Sequence, residues 1–169
     1  MRYYEQHMTP TVAFGGGSLT VWGGISLQSR TELVILIRGT MNAQRYHDLV
    51  IQPIIIPFAR EFGPEFIFVD DNARPHRARI ITMALQRSGI SRMEWPPRSP
   101  DCNPIEHVWD HLQRQLHNRQ HQPQNLEELA EALREEWQGM DQEFLRSLIL
   151  SMPRRVQAVL RARGGPTKY

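Results

Sequence analysis

Three acids stand where carboxylates could do metal chemistry: Asp70 and Asp71 after a short apolar run, and Glu106 at the start of a helix. The run is Glu65-Phe66-Ile67-Phe68-Val69, and acids that close a buried strand are costly unless paired, hydrogen-bonded or holding a cation. A strand-end acid and a helix-start acid together supply the hard oxygen ligands that a divalent cation takes. Glu106 also has a simpler reading. Asn103 is a good N-cap, Pro104 takes the first helical position and Glu106 the third, so its carboxylate fits a capping box returned to the Asn103 N–H. From the local pattern both readings stay open, and Asp70 and Asp71 are nearly even.

Elements must bring these acids together. Trp95 to Asp110 reads as a rigid, proline-set loop that opens a helix, with Ile105, Val108, Trp109, Leu112 and Leu116 on its buried face and Glu106 off that stripe. Upstream, residues 1–17 read as an irregular lead-in. Ser18–Leu27 and Glu32–Arg38 read as a strand hairpin, the second apolar on successive residues like a strand covered on both faces. Gly23-Gly24 marks a bulge or a close approach. Asn42 can cap a helix that Pro53 and Pro57 kink or divide before Phe62. Phe66–Val69 is the next strand, His76–Arg87 a helix and Ile90–Trp95 a last short strand.

The remainder reads as helical. Asn125 and Glu128 form a capping-box signature, Asp141 starts another helix, and Ser151 starts the last, ended by Gly164-Gly165. Hairpin, helix, strand, helix, strand, helix is an α/β order. We read one domain over 1–169, with a core of about 11–120 and a helical C-terminal extension of about 125–163.

Composition excludes several classes. The 40% hydrophobic and 22% charged fractions are those of a globular chain. No apolar run nears the roughly 20 residues of a membrane span, and the N-terminus lacks the apolar core of a signal peptide. A single cysteine, Cys102, excludes an internal disulfide. Net charge is only +2, but of 20 basic residues 19 are arginines, the side chain suited to bidentate phosphate contacts. Arg154 to Tyr169 carries four arginines, one lysine and no acid. His107 and His111 sit one turn apart, a spacing that could ligate zinc, but no third ligand stands at a recognisable spacing. Trp22, Trp95, Trp109 and Trp137 read as packing residues.

Asp71-Asn72-Ala73-Arg74-Pro75-His76 and Trp95-Pro-Pro-Arg-Ser-Pro-Asp-Cys-Asn-Pro-Ile-Glu106 closely resemble the catalytic domain of Tc/mariner DNA transposases. The last acid is Glu, as in the Tc branch, and 34 residues separate it from Asp71. Phe14-Gly-Gly-Gly-Ser18, Val21-Trp22-Gly23-Gly24-Ile25-Ser26 and the end from Met152 also resemble the family. The resemblance implies a ribonuclease-H-like mixed sheet with flanking helices. It makes Asp71, directly before the Asn, the catalytic acid in place of Asp70, with Glu106 its partner and both as metal ligands. It implies two Mg²⁺ (or Mn²⁺) ions in the complete site, metal-dependent DNA cleavage and strand transfer, transposon-end DNA as partner, and the nucleus as the compartment. It leaves room for a homodimer. Arg74, His76, Arg98, Arg154 and Arg155 are the candidate DNA contacts.

The family's first catalytic Asp lies on a strand ahead of the region matching Gly15–Ser18. Here the only acid before Glu32 is Glu5, outside the family pattern. We therefore expect a domain lacking its first strand, inactive alone, with a non-catalytic domesticated remnant as the alternative. The absent strand is the central one. Either its two neighbours pair directly, Met1–Pro10 fills the gap, or two edges stay open and solubility suffers.

Overall fold

The computed structural model describes residues 2–8, 12–14, 17–93 and 103–161. The strands are β1 (Arg2–Met8), β2 (Val12–Phe14), β3 (Gly17–Ile25), β4 (Val34–Leu36), β5 (Phe66–Asp70) and β6 (Ser91–Arg92). They form one sheet in the order β2-β3-β1-β5-β6, with β4 also paired to β3. The central place is filled. β1 runs parallel to β5, with Arg2 opposite Phe66 and Gln6 opposite Asp70, and antiparallel to β3, with Glu5 opposite Ile25 and Met8 opposite Trp22. This corrects the irregular lead-in, and of the three outcomes expected for the absent family strand it is the filling of the gap by the N-terminal segment that is found. Backbone groups on the facing edges of β3 and β5 need partners whatever the side chains are, and an extended N-terminal segment supplies them. The open edges on which poor solubility rested are paired.

β3 divides the interior by strand alternation. Leu19, Val21 and Ile25 join one core with the helices α4 (Pro104–His117), α5 (Leu126–Gly139) and α6 (Gln142–Leu150). Trp22 faces the other, with Phe66 and Phe68 of β5 and the helices before and after that strand. Gly23 falls on the first face. A methyl group there would sit 2.6 Å from Trp137 Cη2 and 3.2 Å from Trp109 Cη2, so glycine leaves room for the two stacked indoles. The close approach is to rings.

Asn42 caps α1 (Ala43–Tyr46) by accepting from the Arg45 N–H, and the helix passes into a π-helical segment, His47–Ile55, then α2 (Ile56–Phe62). Pro53 therefore widens the helix where a kink was expected. Its missing N–H and ring are tolerated in the looser register. Pro57 lies in the first turn of α2, a compatible place. Hydrogen-bonded turns occupy residues 73–78, and α3 (Arg79–Arg87) begins three residues later than expected, so His76 lies outside the helix. β4 is only half-buried, not covered on both faces. β6 is two residues long, and Trp95, Arg98, Asp101 and Cys102 lie outside the described residues. The last helix, α7 (Met152–Arg161), packs on α6, and Gly164-Gly165 and the rest of the basic tail are also outside them. No described helix is long and apolar enough to cross a membrane.

Candidate active site

β5 delivers both aspartates, and strand alternation sends them to different fates. Asp70 is 0% exposed, and its Oδ2 accepts from Arg92 Nη2 at 2.6 Å. Burial raises its carboxyl above the usual range, with Arg92 and then His76 opposing. It is a structural acid. Asp71, one residue beyond the strand, is 27% exposed. Its Oδ1 accepts from the Ala73 N–H at 2.9 Å and touches Nδ1 of His76. The near tie between the two acids is thus broken by environment, with only Asp71 open to solvent and ligand.

Glu106 comes from the first turn of α4. The Asn103 side chain caps that helix by accepting from the Ile105 N–H at 3.1 Å. The Glu106 carboxyl is pushed above its ordinary range, first by burial and then by the negative charge of Asp71. Two acids far apart in sequence are therefore near enough for the charge of one to raise the other. The Asn125–Glu128 signature is realised with its return bond shifted by one residue: Asn125 Oδ1 accepts from the Glu128 N–H, while Glu128 Oε2 accepts from the Gln124 N–H, each at 2.8 Å.

An acid whose folded pKa is raised favours the native state below its unfolded value and costs stability as the pH rises through the folded one. Glu106→Gln removes that cost. In metal-free buffer its melting midpoint should exceed that of the unsubstituted protein at pH 7–8, and the gain should vanish near pH 4. An equal or lower midpoint at pH 8 would mean that packing, not charge, sets the effect.

The remaining expected contacts divide sharply. Arg74 and Arg154 are exposed. His76 is fully buried, its ring 4.2 Å from that of Tyr46, so it meets Asp71 and not solvent. Arg155, expected at phosphate, is 4% exposed and contacts Ser151 Oγ and His107 Nε2, each at 2.6 Å. The guanidinium is buried against α4, beside His107, whose pKa is lowered by burial and then by Arg155. The His111 ring lies 4.7 Å from that of Phe144, tilted by 38°. The described residues contain no group of three His, Cys, Asp or Glu placed to hold a metal ion. Trp22, Trp109 and Trp137 are core residues.

Sequence reasoning missed Tyr46 and Arg92, which support the two aspartates from beneath. Only an arginine just after Ile90, in a strand beside a buried acid, hinted at the second.

The pattern of the DDE superfamily endonucleases matches residues 13–130. The chain is 37% identical over 169 residues to the Tcb1 transposase of Caenorhabditis briggsae and 35% identical to the Tc1 transposase of Caenorhabditis elegans. Each alignment covers 99% of this chain and 60% of the relative, so the chain spans under two thirds of those proteins. The crystal structure of the Mos1 mariner transposase catalytic domain superposes with a TM-score of 0.83 at 18% identity, over 98% of this chain and 84% of that one. The same Mos1 domain has been solved with raltegravir and Mn (TM-score 0.81, 20% identity, 97% and 84% coverage) and with raltegravir and Mg. The likeness confirms the ribonuclease-H-like architecture. This chain belongs to the DDE superfamily endonucleases, in the Tc/mariner transposase branch.

Proposed function

We propose that Asp71 and Glu106 are two carboxylates of a metal-dependent site that cuts and joins transposon-end DNA in the nucleus. The observation that carries this reading is that the charge of Asp71, at a strand end, helps to raise the carboxyl of Glu106, at a helix start, although 34 residues separate them in the chain. The donor set fits Mg²⁺ or Mn²⁺: two carboxylates, hard oxygens, one of them partly open to solvent. A divalent ion bound there would activate water or a DNA 3′-hydroxyl and stabilise the leaving oxygen at phosphorus. Asp71 and Glu106 would hold it from opposite elements, and the rigidity of β5 and α4 would fix their separation. Exposed Arg74 and Arg154 supply charge for phosphate, joined by Arg77, Arg79 and Arg87 on the outer side of the 74–87 segment.

With two such acids and no third among the described residues, the chain alone should neither nick nor join DNA above background, while binding DNA weakly and with steep salt dependence. The assay uses DNA bearing Tc-type inverted repeats in Mg²⁺ and Mn²⁺. Replacing β1 with a family-like strand that carries the first Asp should produce cleavage, and Asp71→Asn or Glu106→Gln should return it to background. Cleavage indifferent to both substitutions would sink the assignment. Cleavage by the unsubstituted chain that needs both acids would reveal a third ligand. Glu5 on the central strand, in register with Val69, is the first position to substitute.

A further inference from the structure

Beneath Asp71 lies a side chain that the two-carboxylate reading does not use. His76 is fully buried, and a buried imidazole ordinarily returns its desolvation cost through hydrogen bonds from both nitrogens. Here Nε2 has no hydrogen-bond partner among the described residues. Nδ1 lies directly against Asp71 Oδ1, in contact but without the alignment of a hydrogen bond. A phenylalanine would fill the same space against Tyr46 and orphan no nitrogen. The one ring nitrogen that meets a polar group therefore meets the acid beside it.

The ring is held by Tyr46 and by hydrogen bonds of its own backbone. Tyr46, itself fully buried, stacks on it with centroids 4.2 Å apart and planes tilted by 31°. The His76 N–H donates to the Ala73 carbonyl at 3.0 Å, and its own carbonyl accepts from Arg92 Nη2 at 2.7 Å. That same nitrogen donates to Asp70. The buried Asp70–Arg92 pair thus anchors the backbone under His76, Tyr46 anchors its ring, and the ring meets Asp71. Ala73 N–H holds the same carboxylate oxygen from the other direction.

We propose that His76 is a positioning residue that fixes the plane of the Asp71 carboxylate so that it and Glu106 can hold one cation between them. The proposal rests on the reading of those two acids as cation ligands. Without the ring contact the carboxylate keeps the Ala73 N–H on Oδ1 but loses the neighbour that fixes its plane, and binding a cation must then set that plane. Groups that orient metal ligands are typically worth about 10–100-fold in metal affinity.

The test is Mn²⁺ binding to the full chain, read from the electron paramagnetic resonance of the free ion, with Asp71→Asn as the zero. His76→Phe keeps the ring and its stacking and removes both nitrogens. It should weaken Mn²⁺ binding about 10-fold or more. His76→Asn returns a polar nitrogen near the Nδ1 position and should recover most of that loss. His76→Gln, whose nitrogen reaches farther, should not. Equal binding by the unsubstituted protein and His76→Phe would overturn the positioning role and leave the two-acid reading standing. No Mn²⁺ binding by the unsubstituted protein would overturn both. If His76→Phe lacks a cooperative melt, the two amides decide: Asn tighter than Gln supports the proposal, and equal affinities overturn it.

Discussion

Arg92→Met should destabilise the protein by about 3–5 kcal/mol at pH 8, the usual cost of stripping one partner from a buried ion pair, and by clearly less at pH 5. Asp70 is wholly buried, and the Arg92 side chain is 14% exposed. Burial already holds the Asp70 carboxyl above the usual range against the pull of Arg92. Without the guanidinium it rises further. An acid with a raised folded pKa costs nothing below its unfolded value, near 3.9, and costs progressively more as the pH climbs through the folded one. The substituted protein escapes the penalty in acid by protonating Asp70. Urea unfolding at pH 5 and pH 8 measures the difference. A loss equal at both would assign the effect to packing, since Arg92 also sits 5.9 Å over the Phe68 ring. Asp70→Asn combined with Arg92→Met should recover part of the loss at pH 8, because no charge is then left buried.

Trp137→Ala should cost about 3–5 kcal/mol, as large aromatic truncations in a core do. That is a large share of the roughly 5–15 kcal/mol that keeps a domain folded. Three losses coincide. The indole is 2% exposed, it stacks on Trp109 with centroids 5.6 Å apart, and its Nε1 donates to the Thr31 carbonyl at 2.8 Å in a buried setting. Trp137→Phe separates them by keeping a ring in the stack and removing the donor. It should cost about 1–3 kcal/mol, the price of an orphaned buried carbonyl. Chemical denaturation monitored by far-UV circular dichroism reads both. Less than about 1 kcal/mol for Trp137→Ala would mean that α5 is not a structural partner of the sheet.

The sequence spoke most clearly where one local rule decides. Helical spacing in residues 105–116 and the Asn125–Glu128 pair were legible because periodicity and capping are local. The difference between Asp70 and Asp71 was not legible from the residues themselves. It depends on Arg92, which arrives from another strand 22 residues later. The apolar spacing after His76 predicts a helix from that residue, but turn hydrogen bonds at Ala73 and Pro75 delay it to Arg79. β1 was the least readable element. Arg-Tyr-Tyr-Glu-Gln-His-Met has none of the continuous apolar character of a central strand. Its place follows from two vacant edges, which no local pattern encodes.

That placement has a consequence for the order of synthesis. β1 is made before either of its partners: Met8 must wait for Trp22, and Arg2 for Phe66. At about 5–20 residues per second, a ribosome takes roughly 3–13 s between adding Arg2 and adding Phe66. The β3–β4 hairpin can form within that interval from neighbouring residues alone, whereas the parallel pairing of β1 must close a long loop. The middle of the sheet is translated first and enclosed last, so the nascent chain carries its central strand with one edge bare until residue 70 has emerged.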